Sequence, residues 1–147
     1  MKLTTRGHYS VKALLDISLQ PDYGPTSVKA IAKRQNLPAP YLEKLLIELR
    51  RAKIVRSVRG AHGGYQLLEK PENISLGQIL AAIGETIEPL AKHDPDPDQA
   101  EDWVTFNLWQ RLHEKLQEAL YSISLADLYY DARSWKAAQG EATSFVV

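Results

Sequence analysis

Four leucines, Leu42, Leu45, Leu46 and Leu49, repeat at i, i+3, i+4 and i+7, the stripe of a helix that buries one face. Five residues after the last of them the pattern changes from the helical period to that of strands. IVRSV from Ile54 and GYQLL from Gly64 read as two strands joined by RGAHG. A chain that sets a short hairpin directly behind an amphipathic helix is neither a plain bundle nor a sheet protein. Its hairpin must lean on helices. The neighbouring segments supply them. Thr4 or Thr5 caps a first helix with Val11, Leu14, Leu15 and Ser18 on one face, ending before Pro21. After PDYGP, Thr26 or Ser27 caps a second, short helix with Val28, Ile31 and Ala32 facing inward, and Asn36 suits a left-handed terminator. Pro38 and Pro40 fit the turn and first turn of the third, leucine-bearing helix. Beyond the hairpin, Ser75 and Gln78 form a capping-box pattern for a fourth helix carrying Leu76, Ile79, Leu80 and Ile83.

The segment from Glu88 to Asp102, EPLAKHDPDPDQAED, has no apolar pattern and reads as an exposed acidic loop. Asp98 with Glu101 then resembles a capping arrangement for a long helix. On it Thr105, Trp109, Leu112, Leu116, Ala119 and Ile123 recur at spacings of 4, 3, 4, 3 and 4, a coiled-coil-like seam. Phe106, Leu108 and Leu120 widen the apolar surface beyond what a helix lying on a small domain needs. Ser124 opens a last helix with Leu125, Leu128 and Tyr129, and GEATSFVV reads as a loose tail. The expected fold is mainly α: a winged helix-turn-helix domain over 1–86 with a two-stranded wing, a loop over 87–102, a long seam-bearing helix and a C-terminal helix over 103–138, and a flexible tail over 139–147.

Charge divides the chain as well. Residues 1–64 hold 12 Lys and Arg against 4 Asp and Glu, and residues 65–147 hold 6 against 14, so a net charge of zero conceals halves of +8 and −8. A basic half suits a polyanion, and an acidic half is best placed away from it. There is no cysteine, which removes disulfides and thiolate metal sites. No apolar run approaches 18 residues and MKLTTRGHYS has no signal-peptide character, so a cytoplasmic protein without a membrane partner is expected.

The glycines of SVRGAHGGY, Ser57 to Tyr65, match neither the spacing of a phosphate loop nor that of a dinucleotide loop, and a strand rather than a helix follows them. As a hairpin tip the stretch makes sense. Gly60 and Gly63 permit the turn, while Arg56 and Arg59 give it cationic reach with no carboxylate between residues 54 and 68, and His62 is a further candidate for DNA contact. An arginine on a slender hairpin can enter a narrow minor groove. On the third helix the step of 100° per residue turns Lys44, Ile47 and Arg51 outward, flanked by Glu43, Glu48 and Arg50. A second helix of a helix-turn-helix pair occupies the major groove. There Glu43 can accept from cytosine N4, Lys44 can donate to guanine or phosphate, and Tyr41 can donate to a phosphate. An amphipathic helix with a solvated outer face has the same pattern, and the helix alone does not separate the two.

MKLTTRGHYSVKALLDISL, YLEKLLIELRRAKIVRSVRGAHGGYQL and ISLGQILAAIGE followed by NLWQRL together resemble the bacterial winged-helix regulators of the Rrf2 family, the IscR and NsrR type, over residues 1 to about 130. The resemblance implies a homodimer joined through the helix near 101–121 and two winged domains reading a palindromic operator. It places Tyr41, Glu43 and Lys44 on the recognition helix, Arg59 in the wing, and Thr4 and Arg6 near the phosphate backbone. There are departures. Pro38 and Pro40 stand where members often carry serines, and Lys44 where they carry glutamine, so operator preference does not transfer. Cluster-binding members place three cysteines after the fourth helix, with a histidine in the IscR type; here Trp103 and Phe106 occupy a cysteine and the histidine position, and neither ring offers iron a lone pair. No cysteine-ligated iron–sulfur cluster, and no other cofactor, is expected.

Asp94, Asp96 and Asp98 copy the first ligand spacing of a calcium loop, but Pro95 and Pro97 hold the chain extended and Thr105 stands where a bidentate glutamate belongs. The four histidines are scattered, so no zinc site, acid–base pair or nucleophile arrangement forms, and no enzyme is expected. The expected partners are double-stranded DNA and a second copy of the chain, with an unidentified effector or protein as a further possibility. The alternative is a winged-helix protein-interaction module that has lost DNA binding. Arg59 and the +8 half count against it.

Overall fold

The computed structural model describes residues 3–91 and 93–144. Their elements run α1 (Thr5–Ser18), α2 (Val28–Gln35), α3 (Ala39–Arg51), β1 (Val55–Val58), β2 (Gly64–Leu67), α4 (Leu76–Ala82), α5 (Ala100–Ser122) and α6 (Leu125–Ser144). Local chemistry accounts for most of the starts and stops. Thr4 Oγ1 accepts from Gly7 N–H at 3.1 Å at the head of α1, and Ser27 Oγ accepts from Ala30 N–H at 3.1 Å at the head of α2. Asn36 ends α2 in the left-handed region, φ 54° and ψ 52°. Ser75 and Gln78 close the reciprocal capping box on α4, and Ser124 and Asp127 do the same on α6.

The four leucines of α3 are buried together with Leu14 and Ile17 of α1, Ile31 of α2 and Ile79 of α4. Each such side chain contributes about 1.5–3 kcal/mol on leaving water. β1 and β2 pair antiparallel in the register Val55 with Leu67, Arg56 with Gln66, Ser57 with Tyr65 and Val58 with Gly64. Val55, Tyr65 and Leu67 face the core, so the hairpin leans on the helices by one face only. The core also takes Leu125 of α6, fully buried, with Leu120 and Leu128 packed beside it. Leu76 N–H donates to Ile123 O and Leu125 N–H to Ile74 O, both at 2.8 Å, which stitches the α5–α6 junction to the head of α4.

Three expectations change. Asp98 and Glu101 do not cap α5: its N-cap is Gln99, with no side-chain bond. Asp98 N–H instead donates to Asp96 Oδ1 at 2.9 Å, and Asp96 N–H to Asp102 Oδ2 at 3.3 Å, so the aspartates tie up their own loop while Glu101 and Asp102 face the helix dipole. Residues 139–144 are not a flexible tail but the last turns of α6, where alanine, glutamine and glutamate sustain a helix. The remainder of the expected tail, 145–147, lies outside the described residues. Ile123, counted in the seam, is the C-cap of α5 rather than part of it.

Candidate nucleic-acid interface

Helix α3 and the wing form one unit because α3 ends just before β1 begins and because a side-chain bond ties β2 back to α3. Tyr65 Oη donates to Glu43 Oε1 at 3.1 Å. Burial and the adjacent Glu43 carboxylate raise the Tyr65 pKa above the ordinary phenol value, which keeps the hydroxyl a donor. Along α3, Lys44, Arg50 and Arg51 are exposed, Glu43 is half-buried, and Tyr41 is half-buried with its ring edge-on to Tyr9 at 5.8 Å between centroids. The outward face is cationic and the inward face leucine, as the spacing requires.

The wing tip is a tight turn. Gly63 N–H donates to Gly60 O at 3.0 Å, and Arg59, Gly60 and His62 are exposed around it. A Cβ on Gly63 would stand 2.1 Å from Val58 O, so only glycine closes the turn. Gly60 has φ +114° with open space around it; there the backbone angle alone demands glycine. Arg56 lies across the strand pair, with Nε and Nη2 donating to Gln66 Oε1 at 3.0 and 2.6 Å, while Gln66 Nε2 donates to Gly24 O at 3.0 Å. Its guanidinium is aimed by Gln66. Arg59 forms no protein hydrogen bond or ion pair among the described residues and leads the tip.

Thr4 and Arg6 are turned inward. Thr4 Oγ1 donates to Glu85 Oε1 at 2.6 Å, and Arg6 Nη2 donates to Glu48 Oε2 at 2.7 Å and to Ile83 O at 2.8 Å. Both are engaged with α3 and the end of α4 within the protein. Sequence reasoning missed Tyr65 and Gln66. The alternation of β2, with Tyr65 and Leu67 inward and Gln66 outward, was the available signal. It also missed the support beneath the wing, in which Asp16, 2% exposed, accepts from Arg34 Nε and Nη2 at 2.9 and 2.7 Å and from Gln35 Nε2 at 2.6 Å.

On α5 no residue is buried. Of the seam, Trp109 and Leu112 are 42% and 43% exposed, Leu116 is half-buried and Ala119 exposed, and Ile123 beyond the helix is 37% exposed. Trp103 is exposed and Phe106 half-buried at the head of the same helix.

Residues 3–131 match the profile of the Rrf2 family, described as an iron-dependent transcriptional regulator. Over 147 residues, the full length of both chains, the sequence is 67% identical to the Synechocystis sp. protein slr0846, which bears the name of an HTH-type transcriptional regulator. The fold is similar to that of T. potens IscR, with TM-score 0.71, 41% identity and coverage of 90% of this chain and 88% of that one. It is similar also to CymR (YrzC), the global cysteine regulator of B. subtilis, with TM-score 0.74, 34% identity and coverage of 88% and 97%. A cysteine-ligated iron–sulfur cluster does not fit this chain. It has no thiolate to offer, and indole and phenyl rings stand at Trp103 and Phe106.

Proposed function

The chain belongs to the Rrf2 family of DNA-binding transcriptional regulators, and from that membership we propose that it acts as a homodimer reading a palindromic operator without a cysteine-ligated cluster. In this reading it works in the cytoplasm and catalyses no reaction. Each protomer sets α3 in the major groove, with Glu43 and Lys44 at base edges and Tyr41 and Arg51 at the backbone, and sends Arg59 into the adjacent minor groove. Arg56, Gly60, His62 and Gly63 line the approach of the wing, and Thr4 and Arg6 brace the head of α1 near the backbone. The observation that carries the reading is the joint presentation of an exposed cationic helix face and a carboxylate-free wing tip on one unit, tied through Glu43 and Tyr65. The exposed apolar side chains of α5, Trp103, Val104, Leu108, Trp109 and Leu112, support a second copy as the partner that buries them.

The test is duplex binding as a function of salt. Affinity falls with a log–log slope of about 0.9 per phosphate neutralised. Arg59→Ala weakens binding most on sites with a narrow minor groove, where the potential is most negative. Equal weakening on every sequence would reduce Arg59 to a phosphate contact. Absence of salt-dependent binding to genomic fragments would remove the DNA reading and leave the interaction module.

A further inference from the structure

Tyr65 is clamped from three sides. The residue is 5% exposed and belongs to the core. Its main chain exchanges both hydrogen bonds with Thr26, Thr26 N–H to Tyr65 O at 2.9 Å and Tyr65 N–H to Thr26 O at 2.8 Å. Thr26 is held in turn, for its Oγ1 accepts from Arg34 Nη2 at 2.7 Å and Arg34 is paired with the buried Asp16. Glycines let these backbones meet: a Cβ on Gly64 would stand 2.2 Å from Thr26 O, and one on Gly24 would stand 2.6 Å from Tyr65 O. The phenol oxygen is therefore a fixed point fastened to α1 and α2 through the wing.

Glu43 is the movable partner, half-buried beside exposed Lys44, with three side-chain torsions to settle. One of its oxygens accepts from Tyr65; the other has no protein donor among the described residues. A carboxylate that accepts from a cytosine amino group must place an oxygen within a few tenths of an ångström, and an unheld glutamate samples several rotamers. We propose that Tyr65 is a specificity-determining positioning residue: by holding Oε1 of Glu43 it fixes the carboxylate in the one pose from which Oε2 reads a base edge. The proposal rests on the DNA-binding function set out above.

The experiment is competitive selection from a randomised pool of duplexes, giving base preferences for the full chain, Tyr65→Phe, Glu43→Ala and the double variant. At the base pair where Glu43→Ala abolishes preference, Y65F loses roughly tenfold of it, within the range one base-edge contact provides. The double variant matches E43A, since Tyr65 acts only through Glu43. Preferences elsewhere and the salt slope do not move. If Y65F weakens all sequences alike, Tyr65 is merely structural and the proposal falls. If Glu43→Ala changes no preference, the proposal falls while DNA binding stands. If the parent chain shows no base-selective duplex binding, the proposed function falls and this inference with it. Should Y65F fold poorly, Glu43→Asp, which keeps the charge but withdraws the carboxylate from Tyr65, must broaden the same preference, and an unchanged one overturns the proposal.

Discussion

The Tyr65 hydroxyl ties stability to pH as well as the wing to α3. Its raised pKa means that folding favours the protonated phenol, so its contribution is complete below the ordinary tyrosine value, about 10, and is lost as pH rises through the higher folded value. In chemical denaturation at pH 7, Tyr65→Phe costs about 1.5 kcal/mol, the low end for a hydrogen bond to a charged group because water can replace the donor at half-buried Glu43. Above about pH 10 the gap between parent and variant narrows, because only the parent must ionise a buried phenol. A gap that widens there would contradict the assignment. The places of Glu43 and Lys44 on the outer side of α3 and of Arg59 at the hairpin tip were legible from helical and hairpin spacing, since both are local. The partner of Glu43 was not, because residues 43 and 65 meet only when the hairpin folds back on the helix.

The wing shows how much an element depends on what it lies against. Gly60 and Gly64 both have positive φ, at +114° and +145°, yet the tip is open and Gly64 abuts Thr26. Gly60→Ala therefore costs about 1–2 kcal/mol of backbone strain, and Gly64→Ala about 3 kcal/mol or more, because a Cβ there drives the wing off the turn before α2. Comparable denaturation midpoints for the two variants would show that the contact with Thr26 contributes nothing. The caps at Ser75 and Ser124 were readable because a serine and its partner three residues on form a self-contained motif. The head of α5 was misread because Asp98 is drawn into bonds with its own loop, a competition that a motif does not display. The length of α6 was underread for a related reason: a glycine and polar residues near a chain end resemble a tail until the helix is seen to continue through them.

For the whole molecule the exposed apolar side chains of α5 are decisive. Leu112→Glu or Leu116→Glu yields monomers in sedimentation and weakens operator binding at least tenfold, because the second half-site is no longer linked to the first. Unchanged sedimentation would refute the seam as an interface. The basic half takes in α1 to β1 and the wing tip, and the acidic half takes in β2 and α4, which pack with them, the aspartate-rich loop and α5–α6. The α5–α6 pair is held to the rest of the molecule by Leu125 in the core, by Leu120 and Leu128 packed against that core, and by main-chain bonds on either side of Leu125. By itself the sequence determined the helices, the hairpin, the capping box at Ser75, the buried leucines and the lack of thiolate ligands, since each depends on residue chemistry or on spacing within a turn or two. Only the tertiary structure decided that Asp16 and Arg34 brace the wing, that Arg6 and Thr4 bond inward, and that Tyr65 holds Glu43. Those bonds join residues 18 to 81 positions apart, and no local periodicity encodes a contact that exists only once the core has closed.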